Sequence, residues 1–371
     1  MRRYLAVAAA LVLAGCATRP DSGIGDVRIA KSAQVALYTI DEKADGALRS
    51  ATVRGDKTQD ILLLSGGGSD GAWGAGVLRG WSESGRRPNF DIVTGVSTGA
   101  LMATLAFLGP DYDDELGDLY TKVTDKDIYR NKGLLGALRG AVYDRTPLEN
   151  ELKRTITPEV VEKVAAEHRK GRRLYVATVD LDKGVLVPWD MGRIASSSEP
   201  GKVDVYRAVL AASAAIPGVF RPVYLTADDG TPDTHVDGGT KAPVLFKPFM
   251  IDNDVPTKNV WVVVNSAMPL YNPSGKVGAN INKLMARTIS EMLRIMLERK
   301  LYQVYATARN GGATFNLSYI PDTVKETDPL EFDPAEMARL FEAGRAAGKA
   351  GRWEMEPPRL VEVERIPMRR R

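Results

Sequence analysis

The sequence predicts an α/β domain built around a mostly parallel sheet, and three features carry that prediction. Ile61-Leu62-Leu63-Leu64 is a short unbroken apolar run, the pattern of a strand buried on both faces. A glycine-rich turn, Ser65 to Gly71, and a helix-like stretch, Ala75 to Ser82, follow it. The succession then recurs as Phe90-Asp91-Ile92-Val93-Thr94, the turn Gly95-Val96-Ser97-Thr98-Gly99, and a helical run from Ala100 to Leu108. Strand, tight glycine turn and helix, twice over, point to strands that run parallel, because each helix carries the chain back to where the next strand starts.

The remaining elements fall in chain order. Residues 111–170 read as largely helical and charged, with a break at Pro147. Arg173 to Val179 is a third strand, and Gly184 to Trp189 a fourth, paired to it through the Asp182-Lys183-Gly184 turn. Asn259 to Val264 is another buried strand. Ala279 to Ala308 lacks Gly and Pro and sets Ile281, Leu284, Met285, Ile289, Met292, Ile295, Met296 and Leu301 at helical spacing, a stripe expected to face the core. Phe315 to Ile320 is a late strand, and Asp333-Pro334-Ala335-Glu336 is an N-cap, a first-turn proline and an acidic first turn opening a last helix. The tail, 351–371, contains prolines and ends Arg369-Arg370-Arg371.

Composition narrows the function. The 371 residues suit one large domain or two small ones, and 44% hydrophobic with 26% charged residues excludes a disordered or collagen-like chain. Beyond the first sixteen residues the chain holds 48 basic and 47 acidic residues, so it has no electrostatic footprint for nucleic acid. The single cysteine, Cys16, excludes an intrachain disulfide and a cysteine-based zinc site. Only His168 and His235 are available to a mechanism that needs a histidine base, and His168 lies in a charged helix end expected to be exposed. Asp113-Asp114-Glu115 lacks a calcium-loop pattern and reads as a solvated face, so no metal is implied.

Arg2 and Arg3 precede an apolar run from Tyr4 to Ala14, which is too short to span a bilayer and has the form of a signal segment. Leu13-Ala14-Gly15-Cys16 resembles a bacterial lipobox, which implies lipidation of Cys16 and a membrane anchor in the bacterial cell envelope. The same resemblance implies, from Ala17, a non-acidic residue after that cysteine, sorting to the outer membrane. Residues 1–16 are thus expected to be a signal peptide and 17–58 a tether and lead-in.

Three motifs carry chemistry. Gly95-Val96-Ser97-Thr98-Gly99 fits the nucleophile elbow, in which a sharp strand-to-helix turn exposes a serine hydroxyl; a plain helix N-cap would use the same residues. Gly66-Gly67-Gly68-Ser69-Asp70-Gly71 exposes backbone N–H groups suited to an oxyanion. Its Gly66-x-Gly68-x-x-Gly71 spacing also matches a dinucleotide fingerprint, with Asp91 at the distance expected of a ribose-binding acid but at the start of its strand. Asp237-Gly238-Gly239 supplies a carboxylate at a sharp strand exit, or is a simple Asp-Gly turn.

Together, in this order, the three motifs resemble the patatin-like phospholipase family. Further likeness lies in Gly71-Ala72-Trp73-Gly74-Ala75-Gly76-Val77-Leu78 and in Ala211 to Phe220, and the resemblance covers about residues 60–250. It implies a three-layer α/β/α fold with a mostly parallel central sheet, a catalytic core over 59–250, and a C-terminal helical and strand part of the same domain over 251–350. It implies Ser97 as nucleophile and Asp237 as base in a Ser–Asp dyad. Gly66, Gly67 and Gly68 would line the oxyanion hole, with Gly71, Gly95, Gly99, Gly238 and Gly239 as supporting glycines. The expected substrate is a phospholipid or another acyl ester, with no cofactor. Asp70 departs from the pattern, standing where the family usually has Arg or Lys. His235, two residues before Asp237, would share its face of a strand and is expected to be a structural neighbour, not a triad base. A non-catalytic envelope lipoprotein of the same fold and a nucleotide-binding protein using the Gly66–Gly71 loop are the alternatives.

Overall fold

The structure is a computed structural model that describes residues 58–131, 143–226, 232–268, 281–325 and 328–358, and not the side chains of 131, 281–287, 289 and 290. The signal segment, Cys16, the tether up to residue 57 and the tail beyond residue 358 lie outside the described residues.

The fold is α/β, with a central mostly parallel sheet between helical layers. Its strands are β1 (Thr58–Leu64), β2 (Ile92–Gly95), β5 (Arg173–Asp180), β6 (Val185–Asp190), β7 (Val223–Thr226), β8 (Pro232–Asp237), β9 (Thr257–Met268) and β10 (Thr314–Pro321). The order across the sheet is β10-β9-β1-β2-β5-β8-β7, with β6 paired to β5. β10, β9, β1, β2 and β5 are mutually parallel, whereas β6, β7 and β8 add antiparallel pairings around β5. A separate ribbon joins β3 (Arg130–Asn131) to β4 (Tyr143–Asp144).

Alternation along β1 builds two cores. Leu62 and Leu64 enter one apolar cluster and Ile61 and Leu63 the other, and all four are fully buried. Complete burial of each such side chain contributes about 1.5–3 kcal/mol. The first core lies under α1 (Gly71–Glu83), α2 (Thr98–Leu108), α3 (Asp113–Thr121), α5 (Thr146–Thr155), α6 (Pro158–Arg169), α7 (Met191–Ser196), α8 (Lys202–Ser213) and α10 (Pro334–Ala350). A short α4 (Asp125–Ile128) closes one end. The second core is covered by the 30-residue α9 (Ile281–Asn310) and the segment 244–251.

α1 and α10 cross at small residues. A Cβ on Gly76 would come within 2.0 Å of the Phe341 carbonyl oxygen, and one on Gly344 within 2.3 Å of that of Trp73. α10 is capped as its sequence indicates, with the Asp333 carboxylate accepting from the Ala335 and Glu336 amides.

Four local expectations change. Pro147 opens α5 instead of breaking a helix, its missing N–H being harmless in a first turn. Asp113 is not solvated: it is buried and paired with Arg87 at 2.6 Å. His168 is mostly buried, with its Cβ and ring over Gly192 and Nδ1 3.6 Å from Asp190; burial beside Arg173 and Arg193 lowers its pKa to about 4. The α9 stripe is divided: Leu301 is buried, as are Leu297 and Val304 near it, whereas Met292 and Ile295 are 59% and 50% exposed; the side chains of Ile281, Leu284, Met285 and Ile289 lie outside the described residues.

Candidate active site

The sheet register brings the elbow and the aspartate together. β2 pairs with the first half of β5 and ends at Gly95, opposite Val176. β8 pairs with the second half, with Asp237 opposite Thr178. β6 pairs with β5 from Tyr175 to Asp180, overlapping both ladders, so it must occupy the other edge. β2 and β8 therefore meet on one edge of β5 from opposite directions, one delivering Ser97 and the other Asp237 to the same gap.

Ser97 sits on a strained turn. Its φ of 56° and ψ of −126° make it the only non-glycine at positive φ among the described residues. Such a conformation costs on the order of 1–3 kcal/mol and persists only where its surroundings impose it. Here the Ser97 amide donates to Ser213 Oγ at 3.1 Å, and Ser213 Oγ donates to the Ala177 carbonyl at 2.7 Å. Gly95 and Gly99 allow the crossing, since a Cβ on Gly99 would lie 2.3 Å from the Leu64 carbonyl oxygen. Although Ser97 occupies the N-cap position of α2, its side chain makes no capping bond. Its hydroxyl instead lies beside the Asp237 carboxylate, near enough to oppose the rise of that group's pKa.

Asp237 is held from its other side by the Gly239 amide, which donates to Oδ1 at 2.7 Å, while its own amide donates to the Ala215 carbonyl at 3.0 Å. Ser213 and Ala215 belong to the Ala211–Phe220 segment, whose part is thus to pin both halves of the pair. Burial pushes the Asp237 pKa up to about 6, against the opposing influence of Ser97 and the Gly239 amide.

The glycine loop lies against the elbow. A Cβ on Gly66 would meet the Ser97 Cβ at 3.0 Å. The Gly66 amide already has an acceptor, Pro243 O at 3.4 Å, whereas among the described residues the amides of Gly67 and Gly68 have none. Gly68 has φ 57° and abuts the Pro329 carbonyl, so a side chain there is excluded. Asn265, which the sequence pattern does not single out, clamps the loop: Nδ2 donates to Ser65 O at 2.9 Å and Oδ1 accepts from Gly74 N at 3.0 Å. It follows the buried run of β9 with no local motif, so only the pairing of β9 beside β1 marks it.

Asp70 is 2% exposed, ends the short turn before α1, and donates its amide to Gly67 O at 3.1 Å. The supporting glycines also find their places. Gly71 packs against Tyr120 and Thr98, and Gly238 against the Ala177 carbonyl.

His235 does stand on Asp237's face of β8, but it is bonded elsewhere. Its Nδ1 lies 2.9 Å from Thr178 Oγ1, which also accepts from Trp189 Nε1 at 2.8 Å. Burial lowers its pKa to about 4, so the ring is neutral at physiological pH. Asp180, Asp233 and His235 are spaced as a metal site requires, but the Lys183 ammonium bridges the two carboxylates. The dinucleotide alternative fails on geometry. Asp91 precedes β2 while the glycine loop follows the parallel β1, so they lie at opposite ends of the sheet. The Asp91 carboxylate accepts from the Asp60 amide instead.

Ser97 and Gly68 open into a pocket of about 880 Å³, counting the part open to solvent. Leu101, Leu119, Val123, Leu152, Ile156 and Phe220 make its walls apolar, and Pro329, Leu330 and Phe332 border it on the loop side. A serine beside a buried carboxylate, with two free amides and an apolar cavity next to it, can take a nucleophilic path at an ester carbonyl.

In comparison with known proteins, a family model described as "Patatin-like phospholipase" matches residues 62–250, just over half of the chain. Among solved structures the chain is similar to VipD from Legionella pneumophila, with a TM-score of 0.43 and 12% identity. That match covers 80% of this chain and 66% of VipD, so the chain spans about two thirds of its length. The search of curated proteins finds no match.

Proposed function

The chain belongs to the patatin-like phospholipase family, and from that premise we propose that it is a lipid acyl-ester hydrolase with a Ser97–Asp237 dyad. The observation that carries this reading is a strained, uncapped serine set beside a buried carboxylate at the mouth of an apolar pocket.

In the proposed reaction Ser97 Oγ attacks the ester carbonyl carbon and its proton passes to Asp237. The oxyanion takes hydrogen bonds from the Gly67 and Gly68 amides, aided by the N-terminus of α2. Gly66 shapes the loop against Ser97, since its amide has Pro243 as acceptor. Collapse breaks the ester bond, and the departing alcohol takes the proton from Asp237. Asp237 then accepts a proton from water as that water attacks the acyl-enzyme, releasing the fatty acid and restoring Ser97. The raised pKa of Asp237 suits it to this exchange, because a base near neutrality both takes and returns a proton. The apolar walls of the pocket suit an acyl chain.

The proposal includes an envelope anchor through acylated Cys16, resting on the lipobox-like tetrad. No helix among the described residues is long and apolar enough to cross a membrane. A fluorophosphonate probe tests the chemistry: an adduct mapped to Ser97 by mass spectrometry, and lost in Asp237→Asn, is expected. A folded protein that takes no label would instead favour a non-catalytic lipoprotein.

A further inference from the structure

The turn that carries Ser97 is held from two sides. Upstream, Ser213 Oγ accepts from the Ser97 amide. Downstream, the chain enters Thr98, which is buried and meets a side chain that no sequence motif marks, Tyr120 near the end of α3. The Tyr120 hydroxyl donates to the Thr98 carbonyl at 3.0 Å. That places its one proton, so the Thr98 hydroxyl is the donor in the 2.7 Å contact between the two side-chain oxygens. Both hydroxyls are thereby satisfied, and the first residue after the serine is gripped by side chain and backbone at once. Burial raises the Tyr120 pKa, so the phenol keeps the proton that this grip needs.

The same ring reaches the glycine loop. A Cβ on Gly71 would come within 2.4 Å of a Tyr120 ring carbon and within 2.7 Å of Thr98 Oγ1. Gly71, Thr98 and Tyr120 thus form one closed contact that leaves no room for a side chain at position 71. At the other end of the loop Gly66 abuts the Ser97 Cβ. The loop therefore rests on the elbow at both of its ends, directly at Gly66 and with Tyr120 at Gly71. Between them lie Gly67 and Gly68, whose amides have no acceptor among the described residues. Their distance from Ser97 depends on those two contacts, and oxyanion donors must be held within about 0.5 Å of the productive geometry. Tyr120 also lines the pocket, but its hydroxyl is committed to Thr98, so it offers an acyl chain only ring surface.

We propose that Tyr120 is a positioning residue for ester hydrolysis, holding the downstream side of the Ser97 turn with its hydroxyl and the far end of the glycine loop with its ring, so that nucleophile and oxyanion donors keep one spacing. The proposal rests on the hydrolase reading for the reaction it serves. It gives a part in that reaction to α3, a helix outside the three motifs.

Tyr120→Phe tests it, because the ring stays against Gly71 and the pocket while the hydroxyl goes. With rates taken per folded molecule on a soluble p-nitrophenyl ester, kcat is expected to fall about tenfold or more and KM to stay within about twofold. A trifluoromethyl ketone, which Ser97 would convert to a tetrahedral oxyanion, is expected to lose affinity by the same factor as kcat/KM. A fatty alcohol of equal chain length, which fills only the apolar pocket, should bind as it does to wild type. Thr98→Val with Tyr120→Phe removes both hydroxyls, so neither is left unpartnered. Its melting temperature is expected to return towards wild type while its rate stays as low as that of Tyr120→Phe. An unchanged kcat in Tyr120→Phe, a raised KM at constant kcat, equal losses of affinity for ketone and alcohol, or a rate restored together with the melting temperature in the double variant overturns the proposal. A wild type that cleaves no ester refutes the hydrolase reading and the proposal with it, whereas an active wild type with an unaffected variant overturns the proposal alone.

Discussion

Asp237 and Asp113 are both buried aspartates, 5% and 3% exposed, in opposite electrostatic company. Asp113 faces the Arg87 guanidinium at 2.6 Å, and Arg87 also donates to the Ala106 carbonyl and the Ser82 hydroxyl. The charge is matched, and the pair ties the loop after α1 to the start of α3. Among the described residues Asp237 has only neutral company, the Ser97 hydroxyl and the Gly239 amide, and burial raises its pKa to about 6. A paired buried carboxylate is an anchor. An unpaired one stays close to its protonated form, and a base that must accept and return a proton needs that balance.

The comparison breaks most visibly at the dyad. Ser97→Ala and Asp237→Asn are each expected to lower kcat/KM for a soluble ester by about 10³-fold or more. For Asp237→Asn the fold should gain stability. Its folded pKa lies above the ordinary carboxylate value, so stability present at low pH is lost as pH rises through about 6. Removing the ionisation returns about 2–3 kcal/mol at pH 8, read as a higher denaturation midpoint. Arg87→Ala should do the reverse, leaving Asp113 buried without its cation. A loss of about 3–5 kcal/mol in denaturant unfolding is expected, with the rate per folded molecule unchanged.

The pH profile sharpens the contrast further. With Asp237 as base, kcat/KM should fall about tenfold per unit below pH ~6 and level off above it. A plateau continuing down to pH 4 would remove Asp237 from that role. Asn265→Ala, which frees the glycine loop from its clamp, is expected to lower kcat about tenfold with KM little changed. The smallest effect belongs to His235→Ala, where the rate should stay within about threefold while the melting temperature drops, because Thr178 loses its buried partner. A loss as large as that of Ser97→Ala would replace the dyad with a triad.

Local patterns foretold much of the parallel half of the sheet. β1, β2, β5, β9 and β10 are continuous apolar runs between turn signals, and burial on both faces produces that pattern whatever the neighbours are. β7, α7 and α8 were not legible in this way. β7 is four residues long, and α8 mixes buried Ala and Val with Lys202, Asp204 and Arg207, so its period is weak. His168 and Asp113 misled for a different reason. Charge at a helix end or start reads as solvated, and only the approach of Gly192 and Arg87 buries them. The exposed Met292 and Ile295 misled in the opposite sense: periodicity marks an apolar face but not which of its side chains the tertiary packing covers.

The sequence by itself determined the glycine turns, the elbow with its serine, and the aspartate at a strand exit. Each depends on steric and conformational demands within a few residues. Only the tertiary structure decided that Ser97 and Asp237, 140 positions apart in the sequence, share one edge of β5. It also decided that the Gly66 amide is taken by Pro243, that Asn265 holds the loop, and that no cation among the described residues reaches Asp237. Desolvation and pairing depend on which distant segments pack together, and local spacing carries no record of that packing.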